Sequence, residues 1–108
     1  MNNQNIPAKG FYYHYKHDPK GLVNDYAYEV VNIGYHTELK GDDAMLVIYR
    51  PLYEAFVYKQ GRRYDVRPLK MFMETVVKDG KTIPRFTPIT NSKVLAELEA
   101  IKRQMYGE

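Results

Sequence analysis

The chain has no cysteine and no tryptophan. Without cysteine there is no disulfide framework, no thiolate zinc site and no thiol nucleophile, as suits a reducing compartment. No apolar run nears the roughly 20 residues that a membrane span needs. The opening M-N-N-Q-N-I-P-A-K-G lacks the hydrophobic stretch of a secretion signal. The expectation is a cytoplasmic protein with no membrane partner. Also missing are a G-x-S-x-G elbow, a phosphate-binding P-loop, a G-x-G-x-x-G fingerprint and any H-x-x-x-H or H-E-x-x-H pair. A nucleophilic hydrolase has no anchor here, and neither a metal nor a cofactor is expected.

What is present points to strands. Of 108 residues, eleven are tyrosine and four phenylalanine, and ring side chains favour the pleated surface of a sheet. That length suits one domain able to bury about two-thirds of its unfolded surface. The net charge is +3 but uneven: Phe56 to Phe86 holds eight lysines and arginines against Asp65, Glu74 and Asp79. A field of that sign attracts anions.

Residues 1–9 are polar and broken by Pro7, which predicts a flexible leader. Phe11 to His17 alternates, with Phe11, Tyr13 and Tyr15 on one face and the more polar Tyr12, His14 and Lys16 on the other. Pro19 and Gly21 place a loop over His17 to Asp25. Tyr26 to His36 predicts a strand bent at Gly34. Ala44 to Arg50 is apolar on both faces and predicts a central strand whose regular pairing stops at Arg50, because Pro51 has no N–H to give. A hairpin is expected around Gly61. Arg67-Pro68-Leu69 repeats the order of Arg50-Pro51-Leu52, and Leu69 to Glu74 reads as one helical turn or an irregular crossover whose methionines fill the core. Asp79-Gly80 between V-V-K and K-T-I supplies the positive φ angles of a two-residue hairpin turn. Pro84 and Pro88 place that region near a sheet edge. Val94, Leu95, Leu98, Ile101 and Met105 then recur at helical spacing, with Asn91 or Ser92 to cap the helix and Gly107 to close it. Its apolar stripe has to pack on its own domain or on a second copy.

Gly10, His14-Tyr15-Lys16, Tyr28 with Val30, His36 with Glu38, Val47-Ile48-Tyr49-Arg50 with Leu52-Tyr53, Val66-Arg67-Pro68, Met71-Phe72 with Glu74, and Arg85-Phe86 stand in one order. That order resembles the bacterial family catalogued as domain of unknown function 1653, over Gly10 to Phe86. The resemblance implies a small SH3-like barrel, or roll, of about five to seven antiparallel strands, and it implies no activity. The chain departs from the family pattern in the length of 17–25, in Asp65 where members carry tryptophan, and in the helix after Thr90. The organisation expected is therefore mainly β: a leader over 1–9, a barrel over 10–90 and a C-terminal helix over 91–108.

Three readings of function follow. The leading one is a non-catalytic module for an anionic or extended ligand, nucleic acid or peptide. Its candidate binding residues are Arg50, Arg67 and Arg85, which end strand-like runs, with His14, Tyr15, Lys16, His36, Tyr49 and Tyr53. Guanidiniums that converge bind phosphate or carboxylate in a fork, and tyrosines beside cations make stacking platforms. Tyr12 and Tyr64, with Lys59, Arg62 and Arg63, extend that platform, whereas Met71 and Phe72 suit a peptide. Set against it are structural ion pairs between the arginines and Glu29, Glu38, Glu54 or Glu74. The second reading is a small enzyme using His14, His36, Glu38 and Glu74 as acid–base or ligand groups. The third is a structural subunit that forms a homo-oligomer through its helix.

Overall fold

Apolar residues on both faces of the second and third strand-like runs let them bury two surfaces at once, and they hold the middle of the molecule. The computed structural model describes residues 6–54 and 64–107. In chain order its strands are β1 (Gly10–His14), β2 (Ala27–Tyr35), β3 (Met45–Pro51), β4 (Asp65–Pro68), β5 (Thr75–Lys78), β6 (Lys81–Pro84) and β7 (Phe86–Pro88). A 3-10 turn at Gly41–Ala44 leads into β3, a single helical turn α1 (Leu69–Phe72) follows β4, and α2 (Ser92–Tyr106) ends the chain. The hairpin expected around Gly61, with Lys59, Arg62 and Arg63, lies outside the described residues. Among the described residues no helix is long and apolar enough to cross a membrane.

The mainly β architecture with one C-terminal helix is present, but no closed barrel is found among the described residues. Five strands form an antiparallel sheet in the order β4-β3-β2-β1-β7, and β5-β6 is a separate two-stranded sheet. β7 is three residues long and ends on Pro88, and β6 ends on Pro84. A proline has no N–H with which to extend a ladder, so these strands are poorly equipped to close a ring. The hairpin's own ladder runs one step further, from Arg85 N to Glu74 O (2.9 Å), and it is tied to the end of β1 by the bond from Tyr15 N to Arg85 O (2.8 Å).

β3 is interior, as expected, although β2 holds the middle position. Pairing runs one residue past Arg50, to Tyr28 opposite Pro51. The bend of β2 is also displaced from its expected place. The irregularity lies between Val30 and Asn32, and Gly34 pairs regularly with Leu46. Gly34 serves packing: a Cβ there would stand 3.1 Å from Ile48 Cδ1. The bulge shifts the alternation by one, so Tyr28 and Val30 before it and Ile33 after it face the same core.

That core, on one face of the sheet, joins Tyr12, Tyr28, Val30, Met45, Val47, Tyr49, Leu69, Phe72 and Phe86. Tyr12 thus belongs to the interior (6% exposed), against the expectation of a polar face. Met71 and Met73 are exposed, and the neighbours that fill the core are Leu69 and Phe72. The other face is covered by α2, whose Leu98 is buried with Ala27 and Leu52, among Phe11, Tyr13, Val94, Ile101 and Tyr106. The helix is capped as its sequence requires: Asn91 Oδ1 accepts from Val94 N at 3.0 Å, and Gly107, at φ 74°, donates to Arg103 O. Its apolar stripe packs on the chain's own sheet.

Candidate functional site

Strand alternation decides which candidate residues share a surface. Arg50 follows Tyr49 and so points to the opposite face, under α2, where it is 5% exposed. Its Nε donates to Glu29 Oε1 at 2.9 Å, from the directly opposite position on β2. Lys102 of α2 donates to Glu29 Oε2 at 2.9 Å, and this bond pushes the Lys102 ammonium above the usual lysine range. The Tyr106 ring lies 4.0 Å from the Arg50 guanidinium, and its hydroxyl donates to Pro51 O. Arg50, expected as a binding residue, is part of a buried ion-pair network beneath the helix.

His36 is likewise set apart. It follows the last residue of β2, in an exposed turn where its Nδ1 accepts from Glu38 N at 3.1 Å. His14 ends β1 beside the first residues of β2, so the nine residues of that strand separate the two histidines, a span of about 30 Å. The set named for a small enzyme is not brought together. Among the described residues no three His, Cys, Asp or Glu side chains are grouped as a metal site.

The other candidates meet at one end of the opposite face. Arg67 shares a row with Val47 on β3, its Nε donates to the Tyr49 hydroxyl at 3.0 Å, and its guanidinium lies 5.9 Å from the Phe86 ring. Tyr49 is 5% exposed, so it acts from below as the support of Arg67 and not as a stacking surface. Phe86 pairs with His14 across β1 and β7, with ring centroids 5.2 Å apart. Around the His14 ring stand Tyr15 at 4.5 Å and Tyr26 at 5.6 Å. Tyr53 lies beyond, 5.6 Å from Tyr26 and bonded to the Tyr28 hydroxyl. Lys78 reaches over from β5 and donates to Tyr15 O at 2.8 Å. Arg85 pairs with Glu74 at 3.0 Å, while its Nε is buried with no hydrogen-bond partner among the described residues. Arg67, Lys16 and Lys78 make no ion pair among the described residues.

Electrostatics mark this end of the face. The His14 ring is held neutral, with its pKa lowered to about 4, first by burial and then by the nearby charges of Lys16, Arg85, Arg67 and Lys78. Burial also raises the Tyr53 hydroxyl above its usual value. Tyr26, absent from the expected site, adopts φ 54°, a conformation rare for a bulky side chain and a form of strain that gathers at functional surfaces. No residue type in the sequence signals it.

Hollows also lie elsewhere among the described residues. A groove of about 660 Å³ runs between α2 and the start of β1, lined by Phe11, Glu29, Leu95, Glu99 and Lys102. A second, of about 310 Å³, is mostly apolar, lined by Ile6, Pro7, Tyr12, Met73, Phe86 and Pro88.

No curated protein matches the chain. It is similar to a crystal structure of a DUF1653 protein from Bordetella bronchiseptica, with a TM-score of 0.56 at 26% identity, covering 79% of this chain and 94% of that one. Residues 10–88 match the family described as protein of unknown function (DUF1653), a span that holds every strand and every side chain of the cationic face and leaves out α2. The chain belongs to the DUF1653 family.

Proposed function

We propose that the chain is a non-catalytic binding module for single-stranded nucleic acid, held on the face formed by His14, Tyr15, Lys16, Tyr26, Tyr53, Arg67, Lys78 and Arg85. One observation carries this reading: four cations crowd a partly buried neutral imidazole among partly exposed rings, and three of them have no carboxylate partner among the described residues. A phosphate meets the unpaired cations, and a base finds a ring to stack on. Arg67 is pre-set for this task, because the Tyr49 hydroxyl takes up its Nε and fixes the plane of the guanidinium.

Fluorescence anisotropy with a labelled oligo-U tests the proposal. Binding is expected at low salt, with log affinity falling against log salt at a slope of about −2 to −3 for four contacts at a single strand. Arg67→Ala should weaken binding about tenfold or more with the fold intact by circular dichroism, since that side chain makes one hydrogen bond to the core. No binding at low salt, or an unchanged affinity in Arg67→Ala, overturns the reading.

The apolar hollow beside the edge strand β7 favours a second reading, capture of an extended peptide through Met73, which is 43% exposed. Such binding would survive moderate salt and be lost in Met73→Asp.

A further inference from the structure

We infer that the cationic face takes up a proton at His14 when its anion binds, so that its affinity for oxyanions rises as the solution becomes acidic; this rests on the reading of that face as an anion site. The geometry of the ring leads to it. His14 Nδ1 accepts the backbone N–H of Lys16 at 3.2 Å, so the neutral ring carries its proton on Nε2. A second proton would set an N–H of the ring against the N–H of Lys16, and the ring must turn to hold it.

The charges most strongly felt by the ring are all positive and come from every side: Lys16 from its own turn, Arg67 from β4, Lys78 from β5, and Arg85 from the link into β7. Of the carboxylates on this side, Glu74 is engaged with Arg85, and Asp25 and Asp65 act on the Tyr53 hydroxyl further along the face. The ring's remaining neighbours, Tyr15, Tyr26, Tyr28 and Phe86, are aromatic rings and bring no carboxylate to it. An oxyanion seated between Arg67, Lys78 and Lys16 removes both obstacles. It offsets the field of the cations, and its oxygens accept the N–H that the turned ring presents. Anion and proton therefore bind with positive coupling, one proton entering from solvent and no covalent bond changing.

Sulfate is the probe, because it stays a dianion across the range of the experiment and any pH dependence belongs to the protein. The imidazole C–H signals of the three histidines are followed by NMR from pH 8 to pH 3.5, with and without saturating sulfate, and His14→Gln assigns the signal. Sulfate should raise the His14 midpoint from about 4 by about one unit, and sulfate affinity should rise about fivefold from pH 7 to pH 4. The pH dependence of affinity should vanish in His14→Gln. If sulfate binds at pH 7 and the His14 midpoint stays in place, or if His14→Gln keeps the acid enhancement, the inference is wrong and the anion site stands. If neither sulfate nor oligo-U binds at any pH, the anion site falls and the inference with it.

Discussion

Glu29 divides its two oxygens between Arg50 and Lys102, and the three side chains are 13%, 6% and 19% exposed. Removing the shared carboxylate charge leaves two cations under the helix without their common partner, whereas removing Lys102 leaves Glu29 still bonded to Arg50. Glu29→Gln should therefore cost about 3 kcal/mol and Lys102→Met less than about 1 kcal/mol, both read from urea unfolding; the reverse order would show that the pair with Arg50 is not the stronger one. The same residues show what the sequence makes legible. Arg50-Pro51-Leu52 and Arg67-Pro68-Leu69 are alike as tripeptides, yet one arginine goes under α2 and the other to the open face. The difference comes from register: Arg50 stands opposite Glu29, and Arg67 opposite Val47. Arg67 takes its place from the regular pairing of β4 on β3, and Arg50 from the pairing of β3 on β2, where the irregularity falls between Val30 and Asn32 and not at Gly34.

At the scale of elements, the local signals were the ones that could be read. Asp79 and Gly80 carry φ angles of 54° and 77° in the turn between β5 and β6, as an Asp-Gly pair between two short strands demands. Asn91 and Gly107 bound α2 because capping is settled within one turn of chain. What the helix packs on was not legible, since an apolar stripe has the same period whether it meets its own sheet or another copy. It meets Ala27 and Leu52 through Leu98, all three fully buried. Leu98→Ala should cost about 3 kcal/mol and Asn91→Ala about 1 kcal/mol, measured by thermal or urea unfolding. Equal and negligible losses would mean that α2 is not docked on the sheet in solution. The family match stops before this helix, at residue 88, so these two losses measure how far the matched span relies on an element outside it.

For the whole molecule, closure into a barrel depends on pairings between strands distant in sequence, and composition shows only that strands are plentiful. Polar balance is also a property of the whole, and here acid stability follows from the same cationic face. His14 titrates at about 4 in the folded chain and near 6.5 when unfolded. Between those values the unfolded chain holds more protons, so acid favours unfolding there. The contribution of His14 is fully present above about pH 6.5 and fades as pH falls towards 4. The full shift would convert to about 3 kcal/mol, but the ring is partly open to solvent, which screens the surrounding charges, and about 1–2 kcal/mol is the expected size. Urea unfolding at pH 7 and pH 4.5 in the natural chain and in His14→Gln isolates this from the carboxylates, which titrate in both. The natural chain should lose about 1 kcal/mol more than the variant over that interval, and added sulfate should remove the difference by giving the protonated ring its counterion. Parallel losses in the two proteins would mean that His14 is free to take its proton in the folded state, and that the four cations do not act on it together.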